Sequence, residues 1–322
     1  GTAVPVRQRV KPENNAQPSG FVYPPKPEQI ERRDNALRRS LVSLITYGLL
    51  FYFLFIQDVT YIATLLLVLI IHEMGHFLLM KLFNYNNVKI FIVPLLGAFT
   101  SGKKQHVSQW QLSFIILGGP VPGIVIGCIL FWMNKDLHNE TLKMLYETFL
   151  FINLLNCLPF YPLDGGRLIE TLFFRNSFVA RMVFGIISIL ALIGLFFSNS
   201  SPFLLVIPVF IALELYNEFR NNKIREYLKQ ENIEYHTDYA LLPDRNYWLI
   251  RDCLLLAFPK KYAGITPGQY QYSAIEPAVM NHVSAVLQTN LRLDMSAVGK
   301  IIMFLFYLML FIGPALVYVL LK

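Results

Sequence analysis

The chain has 322 residues, of which 55% belong to the set AVILMFWYC and only 15% are charged. Soluble globular proteins carry about 25% charged residues. With a mean hydropathy of +0.46 and long apolar runs, this chain reads as an all-α polytopic membrane protein whose first partner is the lipid bilayer. That excludes an ordinary soluble enzyme, a disordered scaffold and a disulfide-stapled secreted module; Cys128, Cys157 and Cys253 show no CxxC spacing. The formal net charge of +7 is not read as a nucleic-acid footprint, because in a membrane protein the location of charges matters more than their sum.

In chain order, residues 1–40 are polar and proline-rich and are expected to form a flexible tail. They lack a basic region leading into a short apolar stretch with a cleavage site, so they do not read as a signal peptide. Seven apolar runs follow, about Leu41–Gln57, Val59–Phe83, Trp110–Met133, Leu142–Leu163, Val179–Phe197, Pro202–Tyr216 and Ile301–Leu321. The first and sixth are near the short end of the roughly 17 to 25 residues that cross a bilayer. Residues 41–216 are thus read as a membrane domain, 217–299 as a cytoplasmic segment or small domain, and 300–322 as a C-terminal transmembrane helix. Placing the N-terminus in the cytoplasm puts nearly every Lys and Arg inside and leaves Lys135, Lys143 and Lys322 outside, the arrangement the positive-inside rule prefers. The cell membrane is the expected location.

The second run, VTYIATLLLVLIIHEMGHFLLMKLF, carries His72, Glu73 and His76 at membrane depth. An ionised carboxylate there costs about 2.5 to 3.5 kcal/mol on insertion scales, so it needs a partner. HEMGH fits HExxH. On a helix His72 and His76 project from one face about 6 Å apart, a suitable spacing for two imidazoles on one zinc ion, with Glu73 placed to reach a bound water. The alternative is a packing role, each histidine hydrogen-bonded to a neighbouring span. A catalytic zinc takes three protein ligands and an open position. The natural third ligand is Asp164, which follows the helix-interrupting Pro159 and Pro162 and precedes Gly165-Gly166, whose sequence alone also suits a turn ending a helix. Asn156, eight residues upstream of Asp164, can donate amide hydrogen bonds into the same cavity.

These residues resemble the site-2 protease family of intramembrane zinc metalloproteases. His72-Glu73-Met74-Gly75-His76 matches its HExxH, and Asn156, Pro159, Pro162, Leu163, Asp164, Gly165 and Gly166 match its N-x-x-P-x-x-P-L-D-G-G signature without a gap. Ile90-Phe91-Ile92-Val93-Pro94-Leu95-Leu96-Gly97 resembles the membrane-dipping β-hairpin that follows the family's zinc helix, although Leu96 departs from the usual Pro-x-Gly-Gly. Gly119-Pro120 resembles the family's Gly-Pro-x-x-Asn, but Gly123 stands at the Asn position, so the work of that Asn is dispensable or supplied elsewhere. The resemblance covers about residues 60–180 and leaves 1–40 and 217–299 unaccounted for.

The implied activity is hydrolysis of a peptide bond within or near a transmembrane segment of a membrane-protein substrate. Zn2+ would be held by His72, His76 and Asp164, with Glu73 as general base and Asn156 stabilising the oxyanion or gripping substrate. An extended substrate would add to the hairpin at Ile90, Ile92, Pro94 and Gly97; the other reading of the hairpin is a plain amphipathic loop. A non-proteolytic scaffold or a zinc- or proton-coupled transporter is the alternative function. Transporters usually show internal repeats and paired broken helices, and only the fourth run is clearly broken here. His106, His138, His236 and His282 share no ligand spacing and are expected on solvated surfaces.

Overall fold

A computed structural model describes residues 22–29, 36–54, 58–93, 97–104, 106–174, 177–199, 206–288 and 290–321. The chain divides into two units, one of residues 33–213 with 291–322 and one of 1–32 with 214–290.

In the first unit, α1 (Ala36–Leu54) precedes α2 (Val59–Leu82), the helix of the HExxH residues. Asp58 caps α2 by accepting from the amides of Thr60 at 2.8 Å and Tyr61 at 3.2 Å. Just past its end Asn84 takes a left-handed φ of 58° and turns the chain into a hairpin. Strands β1 (Asn86–Val93) and β2 (Gly97–Lys103) pair antiparallel, with Ile90 opposite Thr100, Ile92 opposite Ala98 and Val93 opposite Gly97. The expected two-stranded hairpin is therefore present.

A short strand β3 (His106–Ser108) leads into α3 (Gln109–Gly118) and α4 (Pro120–Leu137), the third run broken at Gly119-Pro120. Asp294 Oδ1 accepts from the Gln109 amide at 3.0 Å and satisfies the start of α3. Then come α5 (Glu140–Asn156), α6 (Asp164–Ile169) continued by a π turn (Glu170–Phe174), α7 (Phe178–Asn199) and the beginning of α8 (Val206–Gln230). The last helix of the chain, α11 (Ala297–Leu321), packs Met303, Tyr307 and Leu310 against Ile116, Ile124, Cys157 and Leu168, and Tyr307 Oη donates to the Cys157 carbonyl at 2.6 Å.

Among the described residues, three stretches are long and apolar enough to cross a membrane: Val59–Leu82, Gln109–Leu137 and Ala297–Leu316, with Phe178–Gly194 a shorter apolar helix. The described residues do not confirm the expected count of seven. The fourth run ends as a helix at Asn156, and α5, 17 residues long with Glu140, Lys143 and Glu147 along it, is about 25 Å long against a hydrocarbon core of about 30 Å. The other short runs include residues outside the described set. The sixth does not stop at Tyr216 but continues as α8 to Gln230.

The second unit has its own core. Ile224 and Leu228 of α8, Trp248, Ile250 and Leu254 of α9 (Asp244–Ala257), and Val279, Val283 and Val286 of α10 (Glu276–Val286) are all buried in it. Of residues 1–40, expected to form a flexible tail, the structure describes 22–29 and 36–40. Residues 22–29 lie extended against this unit, fixed by bonds described below, and residues 36–40 already belong to α1. His282, expected on a solvated surface, is half-buried and lies 2.7 Å from the Tyr262 hydroxyl.

Candidate metal centre

The α2 face carrying His72, Glu73 and His76 is buried. His72 Nε2 and His76 Nε2 are 3.2 Å apart, and Asp164 Oδ2 lies 3.1 Å from the first and 3.3 Å from the second. Asp164 reaches them from the first residue of α6. The chain returns sharply between α5 and α6, and a Cβ on Gly165 would stand 2.2 Å from the Cys157 carbonyl oxygen, one on Gly166 2.3 Å from Phe160 C. Side chains at either position would push Asp164 away from the histidines.

The outer ring nitrogens set the tautomers. His76 Nδ1 lies 2.7 Å from the Ile115 carbonyl, which can only accept, so the proton is on Nδ1. His72 Nδ1 lies 2.9 Å from Asn153 Oδ1, whose amide nitrogen donates to the Phe149 carbonyl at 2.7 Å and so turns the oxygen toward the ring. Both Nε2 atoms then carry lone pairs. Asp164 Oδ2 is buried and has no hydrogen-bond donor. Three lone pairs facing one another at these separations repel unless a cation lies among them. Ligand atoms on one tetrahedral zinc at 2.0 to 2.1 Å sit about 3.3 Å apart, so the donor set and its spacing fit zinc. Gly119 opens the space beside it: a Cβ there would stand 2.2 Å from His76 Nε2 and 2.8 Å from His72 Nε2.

Glu73 is buried, and its carboxylate lies with both histidines in a group whose ligand atoms are all within 4.8 Å of one another. Thr100 of β2 donates its hydroxyl to Glu73 Oε2 at 2.7 Å.

The other residues singled out from the sequence are placed as follows. The amide of Asn156 donates to its own helix, at the Ile152 carbonyl, at 3.0 Å. The asparagine touching His72 is Asn153, one turn earlier. Space for it is left by Gly123, where a Cβ would stand 2.0 Å from Asn153 Nδ2; a carboxamide thus fills the very place where Gly123 interrupts the Gly-Pro-x-x-Asn pattern. Ile90 and Ile92 lie on β1 and Gly97 opens β2, while Pro94 lies outside the described residues. Asn153 and Thr100 were missed from sequence. The departure at Gly123 was the one available hint that a carboxamide had to come from another helix.

Residues 60–138 match Peptidase family M50. The match takes in the HExxH helix, the hairpin, α3 and α4, and stops before Asp164. Stage IV sporulation protein FB of Bacillus subtilis is 31% identical over 119 residues, which is 35% of this chain and 40% of that protein. A zinc metalloprotease of Methanocaldococcus jannaschii is 26% identical over 109 residues, 32% of this chain and 31% of that protein. The chain therefore spans well under half of either relative. A solved structure, the site-2 protease from Methanocaldococcus jannaschii, aligns with a TM-score of 0.41 and 19% identity over 53% of this chain and 84% of that one.

Proposed function

We propose that this chain is an intramembrane zinc metalloprotease that hydrolyses a peptide bond within or near a transmembrane segment of a membrane-protein substrate. The observation carrying this reading is the triangle of lone pairs from His72, His76 and Asp164, 3.1 to 3.3 Å on a side, with the Glu73 carboxylate beside it.

His72, His76 and Asp164 are the zinc ligands in this reading. The chemistry zinc supplies when bound is Lewis acidity, which brings a water's pKa to about 7 and polarises a carbonyl. Asn153 and the Ile115 carbonyl keep the two imidazoles in the tautomer and orientation a metal requires. Glu73 takes a proton from the attacking water and returns it to the leaving amine. Thr100 Oγ1 holds one carboxylate oxygen of Glu73, leaving the other for that proton. Asn156 meets the substrate backbone or the developing oxyanion after releasing Ile152. The hairpin, through Ile90, Ile92, Pro94 and Gly97, takes the substrate as an added extended strand, and since Ile90 of β1 pairs with Thr100 of β2, substrate position is tied to the base.

In the same reading the N-terminus and the 217–299 segment face the cytoplasm, the site lies toward that face, and the shorter apolar runs complete the crossing of the cell membrane. A scaffold or transporter is the less favoured reading, since the chain keeps Glu73 and the three candidate ligands His72, His76 and Asp164.

The test is cleavage of a helical transmembrane peptide by purified protein in detergent or liposomes. Chelation should stop it and zinc should restore it. Cleavage indifferent to chelator, or a zinc-loaded protein that cuts no transmembrane peptide, would overturn the reading.

A further inference from the structure

Within the second unit, residues 22–29 lie extended along a face built from Tyr239, Trp248, Tyr270 and Tyr272. Trp248 Nε1 donates to the Pro24 carbonyl at 2.7 Å, Tyr272 Oη to the Pro25 carbonyl at 2.6 Å and Tyr239 Oη to the Pro27 carbonyl at 2.7 Å. Three aromatic donors thus read the carbonyls of three prolines. Between them Lys26 is fixed at both ends: its amide donates to Asp244 Oδ1 at 2.9 Å, and its ammonium donates to the Ala240 carbonyl at 3.0 Å and to that of Leu242, over the Tyr239 ring at 5.5 Å. Tyr23 meets Tyr270 edge to face at 4.9 Å.

The face is held in shape from behind. Arg251, fully buried, donates to both carboxylate oxygens of Glu276 at 3.0 and 3.3 Å and to the carbonyls of Gln269 and Gln271 at 3.3 and 3.1 Å. Those carbonyls flank Tyr270 and Tyr272. The ring of Tyr272 stacks on Trp248 at 5.9 Å with 12° between planes. The donors are therefore set by the folded unit, independently of what lies on them.

A proline-rich strand suits such a face. It has few amide protons of its own to satisfy, its carbonyls point outward, and it loses little conformational entropy on docking. An aromatic-lined groove whose Trp and Tyr donors meet prolyl carbonyls is the mode by which proline-rich peptides are recognised. We propose that this face is a recognition site for extended peptides of the form Tyr-Pro-Pro-Lys-Pro, occupied in cis by residues 23–27 and opened by exchange to a segment of the same chemistry on a partner protein. The lysine is the selective element, because a partly buried ammonium at two carbonyls and an aromatic ring has no counterpart for Glu or Ala.

The test uses the full-length protein in detergent and a fluorescein-labelled octapeptide, Val-Tyr-Pro-Pro-Lys-Pro-Glu-Gln. A released variant combines Pro24→Ala, Pro25→Ala, Lys26→Glu and Pro27→Ala. It should bind the peptide saturably and at least about tenfold tighter than the wild type, whose own segment competes at high effective concentration. A scrambled peptide, or one with Glu in place of the lysine, should bind at least about tenfold more weakly. Adding Tyr272→Phe, at a residue 56% exposed, should weaken binding about two- to tenfold through loss of one donor. Where the released variant fails to fold, hydrogen exchange at the Lys26 amide of the wild type decides. Isotope-labelled octapeptide in excess should accelerate it, and scrambled peptide should not. Equal binding of the scrambled peptide, no binding by a folded released variant, or unchanged exchange would overturn the proposal. Concentration-dependent dimers lost in the released variant would place the segment on a second copy and overturn the cis arrangement.

Discussion

His72 Nδ1 and Asn153 Oδ1 lie 2.9 Å apart in the interior of the first unit, joining α2, which carries both histidines of the candidate metal centre, to α5. The contact fixes which nitrogen of His72 faces Asp164. Replacing such an outer partner typically costs 10- to 100-fold in metal affinity or activity. Asn153→Leu should keep the fold and lower zinc affinity by roughly that factor, measured by competition with a chromogenic chelator. Unchanged affinity would remove Asn153 from the site.

Gly119 has φ of −67°, a conformation alanine adopts without strain. Gly119→Ala should therefore leave the backbone intact while placing a methyl 2.2 Å from His76 Nε2. Zinc content of the purified variant should fall by at least about tenfold, with thermal unfolding lowered by the clash as well. Full zinc occupancy would mean the ion sits elsewhere.

Thr100→Val removes the hydroxyl on Glu73 and keeps the branched shape on β2. Zinc content should be unchanged, while kcat falls by about an order of magnitude as the base loses its orientation. A loss of zinc instead would show that Thr100 supports the metal and not the base.

How much of this was legible in the chain depends on distance along it. The HExxH face, the hairpin and Asp164 are local patterns: two histidines one turn apart, alternating apolar residues, prolines before an Asp-Gly-Gly. Choosing Asn153 over Asn156 is different, because both lie on α5 and the choice follows from how that helix rotates against Gly123. Thr100 reaches Glu73 only through the return of the hairpin. The docking of 22–29 was invisible because an extended polar segment is ordered by donors more than 200 residues away, such as Tyr239, Trp248 and Tyr272. The span count was less legible, because apolar length does not show where a helix ends, as at Asn156, where the fourth run turns.

Asp252 in the second unit gives a pH prediction. Burial pushes its carboxyl up to about 6, against the Gly268 amide, Arg251 and Tyr270, which hold it down. A folded-state value above the unfolded one means that ionisation opposes folding. The cost is absent well below pH 4, grows between about 4 and 6 and is complete above 6. Asp252→Asn removes it, so thermal unfolding of the variant minus that of the wild type should rise across that window and stay flat to pH 8. His282, held down to about 4 by burial, contributes equally to both proteins and cancels in the difference. A pH-independent difference would contradict the assignment.

The most direct measurement is made on Glu73→Gln, with zinc content and cleavage of a transmembrane peptide read from the same preparation. Gln keeps the volume and can still meet Thr100, but it cannot take a proton. The candidate ligand atoms of His72, His76 and Asp164 are untouched. The predicted result is full zinc occupancy with turnover lowered by about 10² to 10⁴. Cleavage at the wild-type rate by a zinc-loaded Glu73→Gln protein would contradict the central claim, because the proton would then be handled by another group.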